Sequence, residues 1–160
     1  MFFNPTYVFK SVSDIEFSFL QEKGIRALIL DLDNTLTTHN NPHPAEKVTD
    51  WIADMKNNGI KMMIVSNNRA ERVTPFAENL GLDFVSNGRK PLDTGFKKAQ
   101  VIMDIPFSEI AIVGDQIFTD ILGANLKRVR TIYVHPIELE TTFFFKLKRA
   151  LEKPFLRKFK

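Results

Sequence analysis

Four short polar clusters hold the residues of this 160-residue chain best suited to chemistry. The first is Asp31-Leu32-Asp33-Asn34-Thr35, the second Ser66-Asn67-Asn68, the third Arg89-Lys90-Pro91, and the fourth Gly114-Asp115 with Asp120 five residues further on. Brought together, three or four carboxylates in a small site would repel one another, and burial would raise their pKa values. A divalent cation removes that conflict. Oxygen-only ligands select a hard cation, and Mg²⁺ combines one or two carboxylates with waters and substrate phosphate. Lys90 and the Ser66 hydroxyl would then suit the remaining phosphate oxygens. Asp31 and Asp33, two residues apart in a loop, can divide the work between a nucleophile and a general acid–base.

The clusters matter only if the fold gathers them. Short apolar runs alternate with helical periodicity, which reads as βαβ units around a parallel sheet. The predicted strands are Arg26–Leu30, Ile60–Val65, Asp83–Val85, Glu109–Val113 and Arg130–Val134. A helix over Pro44–Asn58 follows from Val48, Trp51, Ile52 and Met55 at i, i+3, i+4, i+7. Val73, Phe76, Ala77 and Leu80 form the next stripe, with Thr74 as N-cap and Pro75 at the first helical position as one solution. Further helices are expected over Leu92–Asp104, Ile117–Leu126 and, before the first strand, near Ser13–Lys23. The expectation is an α/β fold: a Rossmann-like open parallel sheet of about five strands flanked by helices. Such sheets bind ligands at the carboxyl ends of their strands, and each polar cluster follows a predicted strand.

In this order of clusters the sequence resembles the haloacid dehalogenase-like hydrolases over about residues 26 to 134. The matching pattern is Asp31-x-Asp33-x-Thr35, then Ser66, then Lys90, then Gly114-Asp115-x4-Asp120. The stretches LDLDNTLT, VSNN and GRKP are similar to the YqeG-type, subclass IIIA phosphatases, a group akin to the mitochondrial phosphatidylglycerophosphate phosphatases. The resemblance implies that Asp31 attacks phosphorus and becomes an aspartyl phosphate, while Asp33 protonates the leaving oxygen and later deprotonates water. It implies Mg²⁺ held by Asp31, the Asp33 carbonyl and Asp115, with Asp120 in support. Ser66 and Lys90 would bind phosphoryl oxygens, Thr35 would brace the first loop, and Asn67 would add a backbone donor. Position 34 is Asn where many members have Gly.

Many of these enzymes carry a cap domain. Between Thr35 and Ser66, and again between Ser66 and Lys90, there is room for only one helix and a strand, so a capless, open site is expected. An open site suits a large substrate, such as a lipid head group or a macromolecular phosphate; a soluble sugar phosphate or nucleotide is the alternative. Two readings of other classes compete. A receiver-like phosphoacceptor also surrounds Mg²⁺ with acids, but usually places the acceptor after its third strand rather than its first. A non-catalytic membrane- or RNA-binding scaffold would not need Asp31, Asp33, Lys90 and Asp115 together. His39 and His43 sit in a Pro/Asn-rich loop and His135 precedes Pro136; these read as loop residues rather than ligands.

The composition, 44% hydrophobic and 26% charged, is that of an ordinary globular domain. No run of 18 apolar residues exists, and the aromatic start MFFNPTYVFK lacks the basic and continuous apolar parts of a signal peptide, so a cytoplasmic protein is expected. There is no cysteine, hence neither disulfide nor thiolate metal site. Charge is uneven: residues 143–160 carry seven Lys/Arg against one acid, whereas residues 1–142 carry 15 against 18. The division is therefore a single domain over residues 1–142 and a basic, aromatic tail of the same domain over 143–160. That tail either packs its aromatics on the sheet with a solvated basic face or contacts anionic lipid peripherally at the inner membrane face. Nucleic acid is the least favoured partner, and Pro154 is expected to separate a packed helix from a free end. Oligomeric state has no signature in the sequence.

Overall fold

The computed structural model describes residues 1–159. Six strands form one all-parallel sheet in the order β1-β6-β5-β2-β3-β4. They are β1 (Tyr7–Phe9), β2 (Ala27–Leu30), β3 (Lys61–Val65), β4 (Asp83–Val85), β5 (Ile110–Gly114) and β6 (Arg130–Val134). Helices α1 (Phe17–Glu22), α2 (Val48–Asn57), α3 (Ala70–Leu80), α4 (Thr94–Met103), α5 (Leu122–Leu126) and α6 (Phe143–Leu156) flank it. Because crossover helices cover both faces, the strands are buried on both sides, and alternate residues serve different cores. Leu28, Leu30, Ala111 and Val113 pack with Trp51, Ile52 and Phe76 on one face. Ala27, Ile29, Ile110 and Ile112 pack with Phe96, Ala99 and Met103 on the other.

The five expected strands are present within a residue or so, and a sixth joins them. β1 pairs with β6, Tyr7 opposite Ile132. At three residues beside Pro5 it is too short for alternation to announce it. The expected Ser13–Lys23 helix is instead a 3₁₀ turn at Val12–Asp14 followed by α1. Helix α2 starts later than Pro44, because Lys47 takes a left-handed φ of 68° and breaks any helical path from the proline. Helix α3 starts earlier than the Thr74–Pro75 solution. Arg69 is its extended N-cap, and Pro75 lies inside the helix. The ring costs one i→i−4 bond near the N-terminal end, while Val73, Phe76, Ala77 and Leu80 keep their buried stripe.

Only α2 lies between β2 and β3, and only α3 and β4 lie between β3 and α4. Among the described residues there is thus no cap domain in either segment. Helix α6 runs through Pro154 to Leu156, so the proline does not release a free end there. Its inward side is also not the one expected. Glu152 is buried and Phe155 and Leu156 pack with Phe3 and Phe118, whereas Phe143, Phe144, Leu147 and Leu151 are exposed. Lys160, the end of the expected tail, lies outside the described residues.

Candidate active site

The sheet order reverses between β2 and β5. From β2 the chain winds outward to β3 and β4; from β5 it winds the other way to β6. This switch point opens a crevice beyond the strand ends, where α/β sheets bind ligands. Leu30 pairs with Val113, and the Asp31 N–H donates to the Val113 carbonyl at 2.9 Å. Adjacent strands therefore deliver Asp31 and Asp115 side by side, although 84 positions separate them in the chain.

Ligand oxygens of Asp31, Asp115 and Asp120 lie within 4.8 Å of one another. Asp120 arrives from a single π-helical turn, Ile117–Ile121, in place of the start of the expected Ile117–Leu126 helix. The wider turn brings Asp120 back against the end of β5, as such insertions often do at functional sites. Gly114 makes room: a Cβ there would lie 2.6 Å from the Asp120 Cβ and closer still to its carboxyl. The Lys90 ammonium completes the cluster, 2.7 Å from Asp31 Oδ1 and 2.6 Å from Asp120 Oδ1.

Electrostatics follow from this crowding. Burial, then the nearby charge of Asp31, pushes the Asp115 carboxyl well above its ordinary range despite Arg149 beside it. The same two causes push Asp120 up to about 7, against the pull of Lys90. Burial alone would lower the Lys90 pKa, but Asp120 and Asp31 together outweigh it and hold it above its ordinary value. The cluster is short of positive charge, and a hard divalent cation would supply it.

Asp33 has partners of its own. Its Oδ1 accepts from Arg72 Nη2 at 3.0 Å and from the Asn40 N–H at 3.3 Å, and its Oδ2 accepts from Asn68 Nδ2. Asp31, Asp33, Ser66, Asn67 and Lys90 all line one cavity of about 430 Å³, together with His39, Gln116, Phe144, Phe145 and Lys148. Ser66 is buried, and its Oγ accepts from the Asn68 N–H at 3.1 Å.

Asn67 and Thr35 each have a partner within the site. The Asn67 amide clamps the Lys90 backbone, accepting from its N–H at 2.7 Å and donating to its carbonyl at 3.0 Å. Thr35 is buried and donates its hydroxyl to Asp115 Oδ1 at 3.3 Å, which braces the first loop against that acid. Asn34 takes a φ of 61° and holds Glu138 and Glu140 through its side chain. Asn tolerates that left-handed backbone better than most residues, so the departure from Gly is accommodated. His43 and His135 are exposed; His39 stands 3.6 Å from Glu140.

Sequence reasoning placed Asn68 in the second cluster without a role and did not find Arg72, Gln116, Lys148, Arg149, Glu140 or Glu152. Arg72 follows Ser66 closely and could be suspected from position. The last three lie 25 or more residues beyond Asp115, in a segment whose composition points only to charge and aromaticity.

Fold and site together are those of the haloacid dehalogenase-like hydrolases. The profile of that family matches residues 42–126, and the chain belongs to it. More narrowly, it is a hydrolase of the YqeG-type phosphatase group: the Bacillus subtilis protein named Probable phosphatase YqeG is 36% identical over 155 residues, spanning 97% of this chain and 90% of that one. A second profile, described as mitochondrial PGP phosphatase, matches residues 1–78. Among solved structures, a haloacid dehalogenase-like hydrolase from Brucella suis superposes with a TM-score of 0.61 at 10% identity, covering 74% of this chain and 88% of that one. The 4-nitrophenylphosphatase of Thermotoga maritima does so with 0.60 at 13% identity, over 80% and 91%. At such identities these two establish the fold alone.

Proposed function

We propose that the chain is a Mg²⁺-dependent phosphomonoester phosphatase that uses Asp31 as its nucleophile. The observation that carries this is the convergence of Asp31, Asp115 and Asp120 oxygens within 4.8 Å, beside the Lys90 ammonium, with Asp31 and Lys90 on the wall of a cavity. The donor set fits the cation: it holds carboxylates, with no nitrogen or sulfur ligand. Asp31, Asp115 and Asp120 would hold Mg²⁺, joined by the Asp33 carbonyl in the family's pattern. When bound, the ion offsets charge on the phosphoryl oxygens.

The chain's own residues carry the steps. A carboxylate oxygen of Asp31 attacks phosphorus, the ester P–O bond breaks, and an aspartyl phosphate forms. Asp33 gives a proton to the departing oxygen. It then takes one from the water that hydrolyses the aspartyl phosphate, which frees inorganic phosphate and restores Asp31. Lys90 and Ser66 bind phosphoryl oxygens, while Arg72, Asn68 and Asn40 keep the Asp33 carboxyl aimed. A chain that turns over p-nitrophenyl phosphate with Mg²⁺, and loses this with EDTA or with Asp31→Asn, meets the proposal. Undiminished turnover by Asp31→Asn would refute it.

For the substrate we infer a phosphorylated lipid head group of the phosphatidylglycerophosphate kind. The match of residues 1–78 to the mitochondrial PGP phosphatase profile supports this. So does the exposed apolar stripe of α6. Phe118, Phe144, Leu147, Lys148 and Leu151 enclose an apolar hollow of about 280 Å³, and Phe144 and Lys148 also line the active-site cavity. Exposed Lys146, Lys153, Arg157 and Lys158 flank the stripe, a pattern suited to an anionic interface. No helix among the described residues is long and apolar enough to cross a membrane, and the contact we infer is a peripheral one through α6. The test is a panel of phosphatidylglycerophosphate in vesicles, nucleotides, sugar phosphates and phosphopeptides, with vesicle flotation alongside. Preference for the lipid, and flotation lost on Leu147→Ser with Leu151→Ser, are expected. Preference for a soluble phosphate with no flotation would reject the lipid reading.

A further inference from the structure

We propose that Arg149 is a positioning residue for Asp115, which makes helix α6 part of the catalytic unit. The inference rests on the reading of Asp31, Asp115 and Asp120 as a cation site. One guanidinium grips two parts of the same residue: Nη2 donates to Asp115 Oδ2 at 2.5 Å, and Nη1 donates to the Asp115 main-chain carbonyl. The other carboxyl oxygen, Oδ1, receives the Thr35 hydroxyl. With both ends held, the plane of the buried Asp115 carboxyl is set before any ligand arrives. A fork of this kind needs the rigid plane of arginine; the single ammonium of lysine cannot span both acceptors in the same way.

Arg149 is itself fixed. Nε and Nη2 meet the two Glu140 oxygens at 3.1 and 2.7 Å, and Nη1 lies 3.0 Å from Glu152 Oε2. Glu152, the single acid of the tail, is buried and accepts the Ile117 N–H at 2.9 Å through its other oxygen. Ile117 opens the π-helical turn that carries Asp120. One network therefore runs from α6 to two carboxylates of the cluster. Its charges also balance in a useful way. Glu140 and Glu152 share the guanidinium with Asp115, so the arginine orients Asp115 without using up its negative charge. Partners that hold a ligating side chain in this manner typically change metal affinity about 10- to 100-fold when removed.

The test is Mg²⁺ binding to the full chain by calorimetry, with circular dichroism to confirm folding. Arg149→Met is expected to weaken Mg²⁺ binding about tenfold or more. Its deficit on p-nitrophenyl phosphate should shrink as Mg²⁺ is raised, which a purely structural anchor would not produce. A folded Arg149→Met that binds Mg²⁺ within about twofold of the wild type, or whose deficit ignores Mg²⁺, overturns the inference. If that variant does not fold, Arg149→Lys carries the test, since it keeps a cation among the three acids. Several-fold weaker binding is expected of it, and wild-type affinity overturns the proposal. A wild-type chain that binds no Mg²⁺ refutes the cation site itself, an outcome distinct from failure of Arg149 alone.

Discussion

The Lys90 ammonium lies 2.6 Å from Asp120 Oδ1, with 3% and 1% of the two side chains exposed. The same nitrogen reaches Asp31 at 2.7 Å. A buried charge shared in this way is costly to remove from one side only, because its partners stay behind uncompensated.

Lys90→Met should therefore both destabilise the chain and impair it. Breaking a buried pair by deleting one partner costs about 3–5 kcal/mol. Protonation of Asp120, already raised to about 7, relieves part of that below neutrality, so the loss should be larger in mildly alkaline buffer. Urea melts on the two sides of neutrality check this, and equal losses on both sides would count against it.

Asp33→Asn separates acid catalysis from attack. General acid–base assistance contributes about 10²- to 10⁴-fold. An alkyl phosphate needs a proton on its leaving oxygen, whereas p-nitrophenolate departs readily without one. The variant should thus lose far more rate on glycerol phosphate than on p-nitrophenyl phosphate in the first step. Single-turnover release of alcohol against release of p-nitrophenol distinguishes the two, and identical losses would remove Asp33 from this role.

Gly114→Ala places a methyl group against the Asp120 carboxyl, with the Asp120 Cβ only 2.6 Å away. Neither can retreat, since one ends a central strand and the other is buried. Overpacking of this sort costs about 1–3 kcal/mol, and Asp120 would be displaced from Lys90. A lower melting temperature with weakened Mg²⁺ stabilisation is expected. A variant with the wild-type melting curve and metal response would contradict the packing described.

Glu140 gives a pH test. Burial would raise its carboxyl, but hydrogen bonds from Arg149 and Asn34 prevail and hold it at about 2, below the ordinary glutamate range. A depressed carboxyl stabilises the fold above its unfolded value, and that contribution disappears as pH falls toward the folded one. Glu140→Gln should lower stability at neutral pH and leave it little changed at about pH 2, so its acid profile is flatter between about pH 4 and 2. Melting series across that range check this. Parallel profiles for variant and wild type would mean that the Glu140–Arg149 pair adds no folding energy.

Much of this was legible in the sequence because the relevant signals are local. The run RALIL and the stripe Val48, Trp51, Ile52, Met55 reveal a strand and a helix through period alone. The rule that ligands gather beyond strand ends then places Asp31, Ser66, Lys90 and Asp115 on one edge before any coordinates exist. Strand β1 escaped because three residues carry no period. The π-helical turn escaped because its first residues read as ordinary helix. The inward side of α6 was misread because amphipathicity was judged by hydrophobicity, while this helix buries Glu152 and half-buries Arg149 and leaves Phe143 and Phe144 in solvent.

The sequence by itself determined the class of sheet, the order of the four polar clusters and the identity of the acids, since these depend on residue type and short-range spacing. Tertiary structure alone decided that Arg149, held by Glu140, closes on Asp115, that Thr35 braces Asp115, and that Asn67 clamps Lys90 at the cavity wall. Those pairings join segments tens of residues apart. A side chain's partner across such a distance is set by how helices and strands dock, and no local pattern encodes that.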